Sequence, residues 1–229
     1  MTTYDERATT RSVVGRLQPP DLTRMRCALV VIDLQVLDAA QNGEHAQRAR
    51  ELGRWSELEG YFDRVADTVV PNVVRLGRAL RERGLPVIYL RCRSLHPNAA
   101  DNGLRFREFG IAIGRDDPQA ALLPELEVDD ADLVLDKTTA SPFWSTHLDR
   151  LLRQLEIECV LMTGVVTSGC VESAVRDASD LDYRVVIVED ACADREAELH
   201  DDSIRRMNNN FALVRATGEV LDGMRVARD

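Results

Sequence analysis

Three side chains in this sequence carry complementary chemistry: a carboxylate at Asp33, an ammonium at Lys137 and a thiol at Cys170. Asp33 closes the apolar run CALVVID, Lys137 follows LVLD, and Cys170 comes directly after GVVTSG. A cysteine behind such a glycine-bounded turn should open the next helix, where unpaired N–H groups and the macrodipole favour negative charge. A thiolate is stabilised there. A neighbouring Lys137 would favour it further by charge attraction, while Asp33 could take the thiol proton and later deliver it to a leaving group. These residue types therefore support nucleophilic catalysis with three assigned roles. The other cysteines act as a control. Cys27 and Cys159 lie in or beside apolar strands, where a thiol serves as a small hydrophobe. Cys92 and Cys192 follow strand ends without a glycine-rich turn and are weaker competitors.

Groups so distant in sequence need a scaffold that gathers strand ends. Short β-branched runs alternate with amphipathic stretches, the pattern of a parallel sheet with crossover helices. Strands are expected at Cys27 to Asp33, Val87 to Leu90, Leu133 to Asp136, Val160 to Met162, Val185 to Glu189 and Phe211 to Val214. Helices are expected at about Val69 to Arg83, Thr146 to Leu155, Cys170 to Leu181 and Arg195 to Met207. The fold class is α/β, a doubly wound, three-layer Rossmann-like sandwich of about six mainly parallel strands with helices on both faces. In such a sheet ligands bind beyond the carboxyl ends of the strands, where the three groups fall. The segment from Arg91 to Asp132 is long and mostly irregular, which suggests a functional loop or lid. Ala39 to Phe62 reads as an insertion carrying Trp55, Tyr61 and Phe62 on a charged background, placed to cover the pocket or an interface.

The chain has 229 residues, enough for one domain over residues 27–229 behind a polar arm over residues 1–26. Its formal charge of −10 repels a phosphate backbone, so nucleic acid is a poor partner. No stretch approaches the roughly 18 apolar residues of a membrane span, and no apolar h-region follows Arg7, Arg11 and Arg16. The five cysteines are odd in number and lack CxxC pairs, so reduced thiols and a cytoplasmic location are expected.

The segments ALVVIDLQ, LVLDKTTASPFWSTHLDRLL and GVVTSGCVESAVRDASDLDYRVVIVEDAC resemble the isochorismatase-like cysteine hydrolases, in the family's order and on the strands just named. The resemblance implies a catalytic triad of Asp33, Lys137 and Cys170. It also implies a non-proline cis peptide at Val165–Val166 that aims the N–H of Val166, with that of Cys170, into an oxyanion hole. The expected reaction is cysteine-dependent hydrolysis of a C–N bond in a small linear amide or ureido compound, through a thioester. The family's ether-cleaving members lack the cysteine, so they are the alternative, together with a non-catalytic relative.

No cofactor is implied. Nicotinamidases of this family carry an Asp-x-His metal cluster after the first strand. Here that region reads VLDAAQNGEHAQ, with Asp38 and His45 but no such cluster, and His96, His147 and His200 are scattered. A metal is therefore not expected. Gln35, Phe143 and Trp144 are candidate substrate contacts, and one of Arg91, Arg93, Arg105 and Arg107 could pair with a substrate carboxylate. A small-molecule substrate and a homo-oligomer complete the expectation.

Overall fold

The structure, a computed structural model, describes residues 15–225, so most of the arm expected over residues 1–26 lies outside the described residues. Six strands form one sheet: β1 (Cys27–Ile32), β2 (Val87–Cys92), β3 (Leu133–Lys137), β4 (Cys159–Val165), β5 (Arg184–Ala193) and β6 (Leu213–Arg215). Their order is β3-β2-β1-β4-β5-β6 and every pairing is parallel. Strand order therefore reverses between β1 and β4, the point where open α/β sheets leave a crevice.

The sheet is buried on both faces because its strands are apolar at successive positions, not alternate ones. All six residues of β1 are buried. Leu29 and Val31 join one core with Tyr89, Leu161 and Val186, whereas Ala28, Val30 and Ile32 join the other with Ile88, Val160 and Met162. The first face is covered by α3 (Trp55–Arg64), α4 (Val70–Glu82) and α10 (Thr217–Met224) through Phe62, Val73, Leu76, Leu80 and Val220. The second is covered by α7 (Leu148–Gln154), α8 (Glu172–Asp180) and α9 (Ala197–Met207) through Leu148, Leu152, Val175 and Ile204. Among the described residues, no helix is long and apolar enough to cross a membrane.

The expected insertion is helical: α1 (Val36–Ala39) is followed by α2 (Glu44–Glu51), and Trp55, Tyr61 and Phe62 lie on α3. Tyr61 and Phe62 are buried, and Trp55 stacks on Phe62 at 5.4 Å between ring centroids. Helix α3 runs into α4 through a π-helical stretch, Val65–Val69. Pro71 supplies a physical reason, since its ring would clash with the carbonyl four residues back and it offers no N–H; a wider turn relieves both problems. The long segment between β2 and β3 contains α5 (Leu104–Glu108) and packs its own small core of Phe106, Ile113 and Ala120 against Leu37 and Cys92. Helix α6 (Pro142–Ser145) precedes α7.

Gly164 shapes the end of β4. Its φ is +109°, and a Cβ there would stand 2.0 Å from the Ile32 carbonyl oxygen, so only glycine fits this close approach of β4 to β1. The β4–β5 register shifts between Met162 and Gly164, with the extra residues on β5, since Met162 pairs with Ile187 and Gly164 with Cys192.

Candidate active site

Asp33, Lys137 and Cys170 meet at the carboxyl edge of the sheet, and each is placed by a different element. Asp33 is the first residue after β1, held in the left-handed region (φ +53°) with its N–H donating to the Leu90 carbonyl at 2.9 Å. An aspartate tolerates that conformation better than most side chains, and it swings the carboxylate off the strand. Lys137 ends β3 and is fully buried. Cys170 lies in the π-helical turn Thr167–Val171 that leads into α8, not at the first residue of the helix. The Val165–Val166 peptide before this turn is cis.

The Lys137 ammonium is the hub. Its Nζ lies 2.8 Å from Asp33 Oδ2, 3.4 Å from Cys170 Sγ, 3.1 Å from Cys92 Sγ and 3.0 Å from the Thr139 carbonyl oxygen. Three protons serve four acceptors, so at least one contact is shared. Burial works against the charged ammonium, but the negative neighbours, Asp33 foremost, outweigh it and hold Lys137 protonated well above the ordinary lysine range. Asp33 Oδ1 is buried and has no protein partner among the described residues. That oxygen is available to receive a proton.

Cys92, a weaker competitor for the nucleophile's role in the sequence, also lies in the site. Its Sγ touches the same ammonium, and hydrogen bonding to Cys170 together with burial pushes its thiol well above the ordinary range. Cys92 is thus held as the protonated thiol. A signal for it existed: Cys92 and Lys137 are direct register partners across β2 and β3.

Asp33, Cys92 and Cys170 form the floor of a cavity of about 170 Å³, together with Val165, Val166 and Gly169, and Lys137 is buried behind them. The roof comes from the long loop, through Arg105, Phe106, Phe109 and Ile111. Past His45, Phe109, Ile111 and Arg195 the space continues into an outer chamber of about 510 Å³. At this mouth Asp38 accepts from Arg195 Nη2 at 2.6 Å and lies 2.9 Å from His45 Nδ1. Burial opposes ionisation of Asp38, but His45 and Arg195 prevail and hold its carboxyl at about 2. Asp38 therefore neutralises Arg195. No group of three or more His, Cys, Asp or Glu side chains is arranged to hold a metal ion among the described residues.

The expected substrate contacts need correction. Gln35 lines the cavity, yet its amide is committed to the backbone: Nε2 donates to the carbonyls of Cys92 (2.9 Å) and Ala120 (3.1 Å), and Oε1 accepts from the Cys92 N–H (2.6 Å). It fastens the roof to the floor. Phe143 packs on the core beside Tyr183, and Trp144 is 79% exposed; neither lines the cavity.

The four loop arginines also separate. Arg91 and Arg93 both pair with Asp136, at 2.5 and 3.0 Å, and Arg107 donates to the Asn102 carbonyl. Arg105 alone of the four lines the cavity, and it has no acidic partner among the described residues.

Behind the cysteine turn stand two supports. Asp194 accepts the Ser168 N–H at 2.6 Å, and His200 Nδ1 lies 2.8 Å from Thr167 Oγ1. His200 Nε2 is 3.4 Å from Arg64, which can only donate, so Nε2 is the acceptor and Nδ1 carries the proton towards Thr167. Burial, reinforced by the Arg64 charge, pulls His200 down to about 4. The unfolded chain binds a proton at His200 below about pH 6.5 that the folded chain refuses until about pH 4, so stability is complete above this window and falls on acidification through it. The expected loss by pH 4 is roughly 2–3 kcal/mol. Urea midpoints measured from pH 7 to 4 should fall less steeply for His200→Gln than for the parent; parallel curves would remove His200 as the cause.

The isochorismatase domain model matches residues 27–219. The ureidoacrylate amidohydrolase RutB of Pantoea ananatis is 29% identical over 197 residues, covering 79% of this chain and 74% of that protein. The N-carbamoylsarcosine amidase of an Arthrobacter species is 28% identical over 160 residues, covering 68% and 61%. Among solved structures, a cysteine hydrolase from Pseudomonas syringae superposes with a TM-score of 0.76 at 23% identity, covering 91% of this chain and 96% of the other. The N-carbamoylsarcosine amidase of Thermoplasma acidophilum gives 0.62 at 27% identity, covering 84% and 97%.

Proposed function

This chain belongs to the isochorismatase family, and from that membership and the contacts of Lys137 we propose a cysteine-dependent amidohydrolase acting on a small ureido or linear amide that bears a carboxylate. The observation that carries the reading is the single buried ammonium touching both a carboxylate and a thiol on a cavity floor. Cys170 passes its proton to Asp33 Oδ1 and attacks the substrate carbonyl as a thiolate supported by Lys137. The backbone N–H groups of Val166 and Cys170 receive the oxyanion. Asp33 returns the proton to the departing nitrogen, and ammonia or an amine leaves. Water, deprotonated by Asp33, then cleaves the thioester and regenerates the thiol. The acyl product is a carboxylate, or a carbamate when the substrate is a terminal urea. The names of the ureidoacrylate and N-carbamoylsarcosine relatives support the bond class.

Charge accounting supports the carboxylate. Asp33 offsets Lys137 and Asp38 offsets Arg195, which leaves Arg105 as the uncompensated cation over the cavity. A guanidinium suits a carboxylate through two parallel hydrogen bonds. The test is ammonia release from N-carbamoyl amino acids, ureidoacrylate and maleamate against neutral biuret and nicotinamide. The anionic set is expected to be turned over faster, and Arg105→Ala to raise its KM about 10- to 100-fold, the loss of one charge-assisted contact, with a smaller effect on kcat. Equal preference for neutral amides, with KM unmoved in Arg105→Ala, would reject the carboxylate.

A further inference from the structure

We propose that Cys170 and Cys92 are a modification site: a hydroperoxide oxidises Cys170, and Cys92 captures the product as a disulfide that shuts the site reversibly. The proposal rests on the reading of Cys170 as the nucleophile and adds a role for a thiol that hydrolysis does not use. Two sulfurs share one ammonium, at 3.1 and 3.4 Å from Lys137 Nζ, and both line the same cavity. Cys27, Cys159 and Cys192 are buried and do not line it.

The chemistry that makes a thiolate good at acyl transfer also makes it the favoured target of peroxide. The Cys170 thiolate attacks the outer oxygen of a hydroperoxide, the O–O bond breaks, and the leaving alkoxide or hydroxide takes up the proton released from Cys170. Sulfur has then lost two electrons and stands as a sulfenic acid. In the resting site Cys92 keeps its proton chiefly because of Cys170. Oxidation of Cys170 removes the thiol–thiol hydrogen bond, and the Lys137 ammonium, 3.1 Å from Cys92 Sγ, is left to support a Cys92 thiolate. Cys92 attacks Cys170 Sγ, an S–S bond forms, and hydroxide leaves with the Cys92 proton as water. Two thiols and one hydroperoxide thus give one disulfide, one alcohol or water from the peroxide, and one water. A dithiol reductant reverses the result. Both sulfurs contact Nζ, and a hydrogen bond joins the two thiols, which places them side by side for the exchange.

The experiment exposes reduced protein to hydrogen peroxide, blocks free thiols with iodoacetamide and maps peptides without reduction. The expected result is a cross-linked Cys92–Cys170 peptide that accumulates as ammonia release falls at least tenfold, with dithiothreitol restoring both. In Cys92→Ser, Cys170 is expected to proceed to the sulfinic acid, and dithiothreitol then restores nothing. The wild-type peptide map stands even if that variant folds poorly. Sulfinic acid at Cys170 of the parent, formed as fast as in the variant and without the cross-link, overturns the proposal. If iodoacetamide at Cys170 stops turnover and no cross-link ever forms, the disulfide alone is rejected. If Cys170 reacts with neither reagent, the nucleophile reading fails and the disulfide with it.

Discussion

Replacing Cys170 with Ala is expected to lower kcat on a ureido or amide substrate by at least about 10⁴-fold while the protein folds as before. Cys170 is only half buried, and its sulfur contributes a small part of the core beside α8, so removing it should cost little more than about 1 kcal/mol. Catalytically the change removes the atom on which the thioester forms. What remains is a cavity with an oxyanion site, which leaves only a small fraction of the acceleration. Cys170→Ser sharpens the test, because a hydroxyl keeps the shape but ionises far less readily beside Lys137. Ammonia release together with thermal melts decides the matter. Turnover within tenfold of the parent in either protein would place the nucleophile elsewhere.

Lys137→Met is expected to cost both activity and stability. The ammonium is fully buried and holds Asp33 Oδ2 at 2.8 Å, so its removal strands a buried carboxylate without its partner. Breaking one half of a buried ion pair typically costs about 3–5 kcal/mol, because the surviving charge keeps its desolvation penalty without its partner. Methionine retains the aliphatic stem, which separates loss of charge from loss of volume. The companion is the double variant Asp33→Asn with Lys137→Met, in which neither charge remains. Its stability should return to within about 1–2 kcal/mol of the parent while activity stays absent, since a neutral buried pair needs no compensation. Urea unfolding of these three proteins and of Asp33→Asn alone gives the coupling energy directly. A Lys137→Met protein as stable as the parent would reject the buried ion pair as a source of stability.

Much of this arrangement could be read before any coordinates, for a reason specific to the fold. In a parallel sheet buried on both faces, a polar residue at a strand's carboxyl end has few structural reasons to be there. Asp33 after an all-apolar β1 and Lys137 at the end of β3 stood out on that ground. The cysteine's approximate place was legible from the glycines around it, although Cys170 falls in a π-helical turn one step before α8 and the helix-start argument was one residue class too simple. Cys92 was hidden because it looks like the apolar end of β2; it becomes visible only when β2 and β3 are laid in register and Lys137 lands opposite. Helix α3 was concealed by the charged residues between Trp55 and Phe62, whose near-two-turn separation put both on one face. Helix α10 went unnoticed although Val220 and Met224 have the spacing of a buried stripe. Substrate contacts were least legible. Which loop arginine is unpaired depends on where Asp136 and the Asn102 carbonyl lie, and sequence distance does not encode that.

The ceiling and the base of the reaction chamber come from unrelated stretches of chain. The base is drawn from the ends of β1, β2 and β4, the last packed so close to β1 that only glycine fits at position 164, while the ceiling is a single contiguous ribbon that includes Arg105, Phe106, Phe109 and Ile111. The Gln35 carboxamide clips the two together through main-chain atoms only, and so is indifferent to which side chains the ribbon carries. Descendants of this scaffold could therefore exchange one short cassette and inherit a new diet, with the bond-breaking apparatus beneath left untouched.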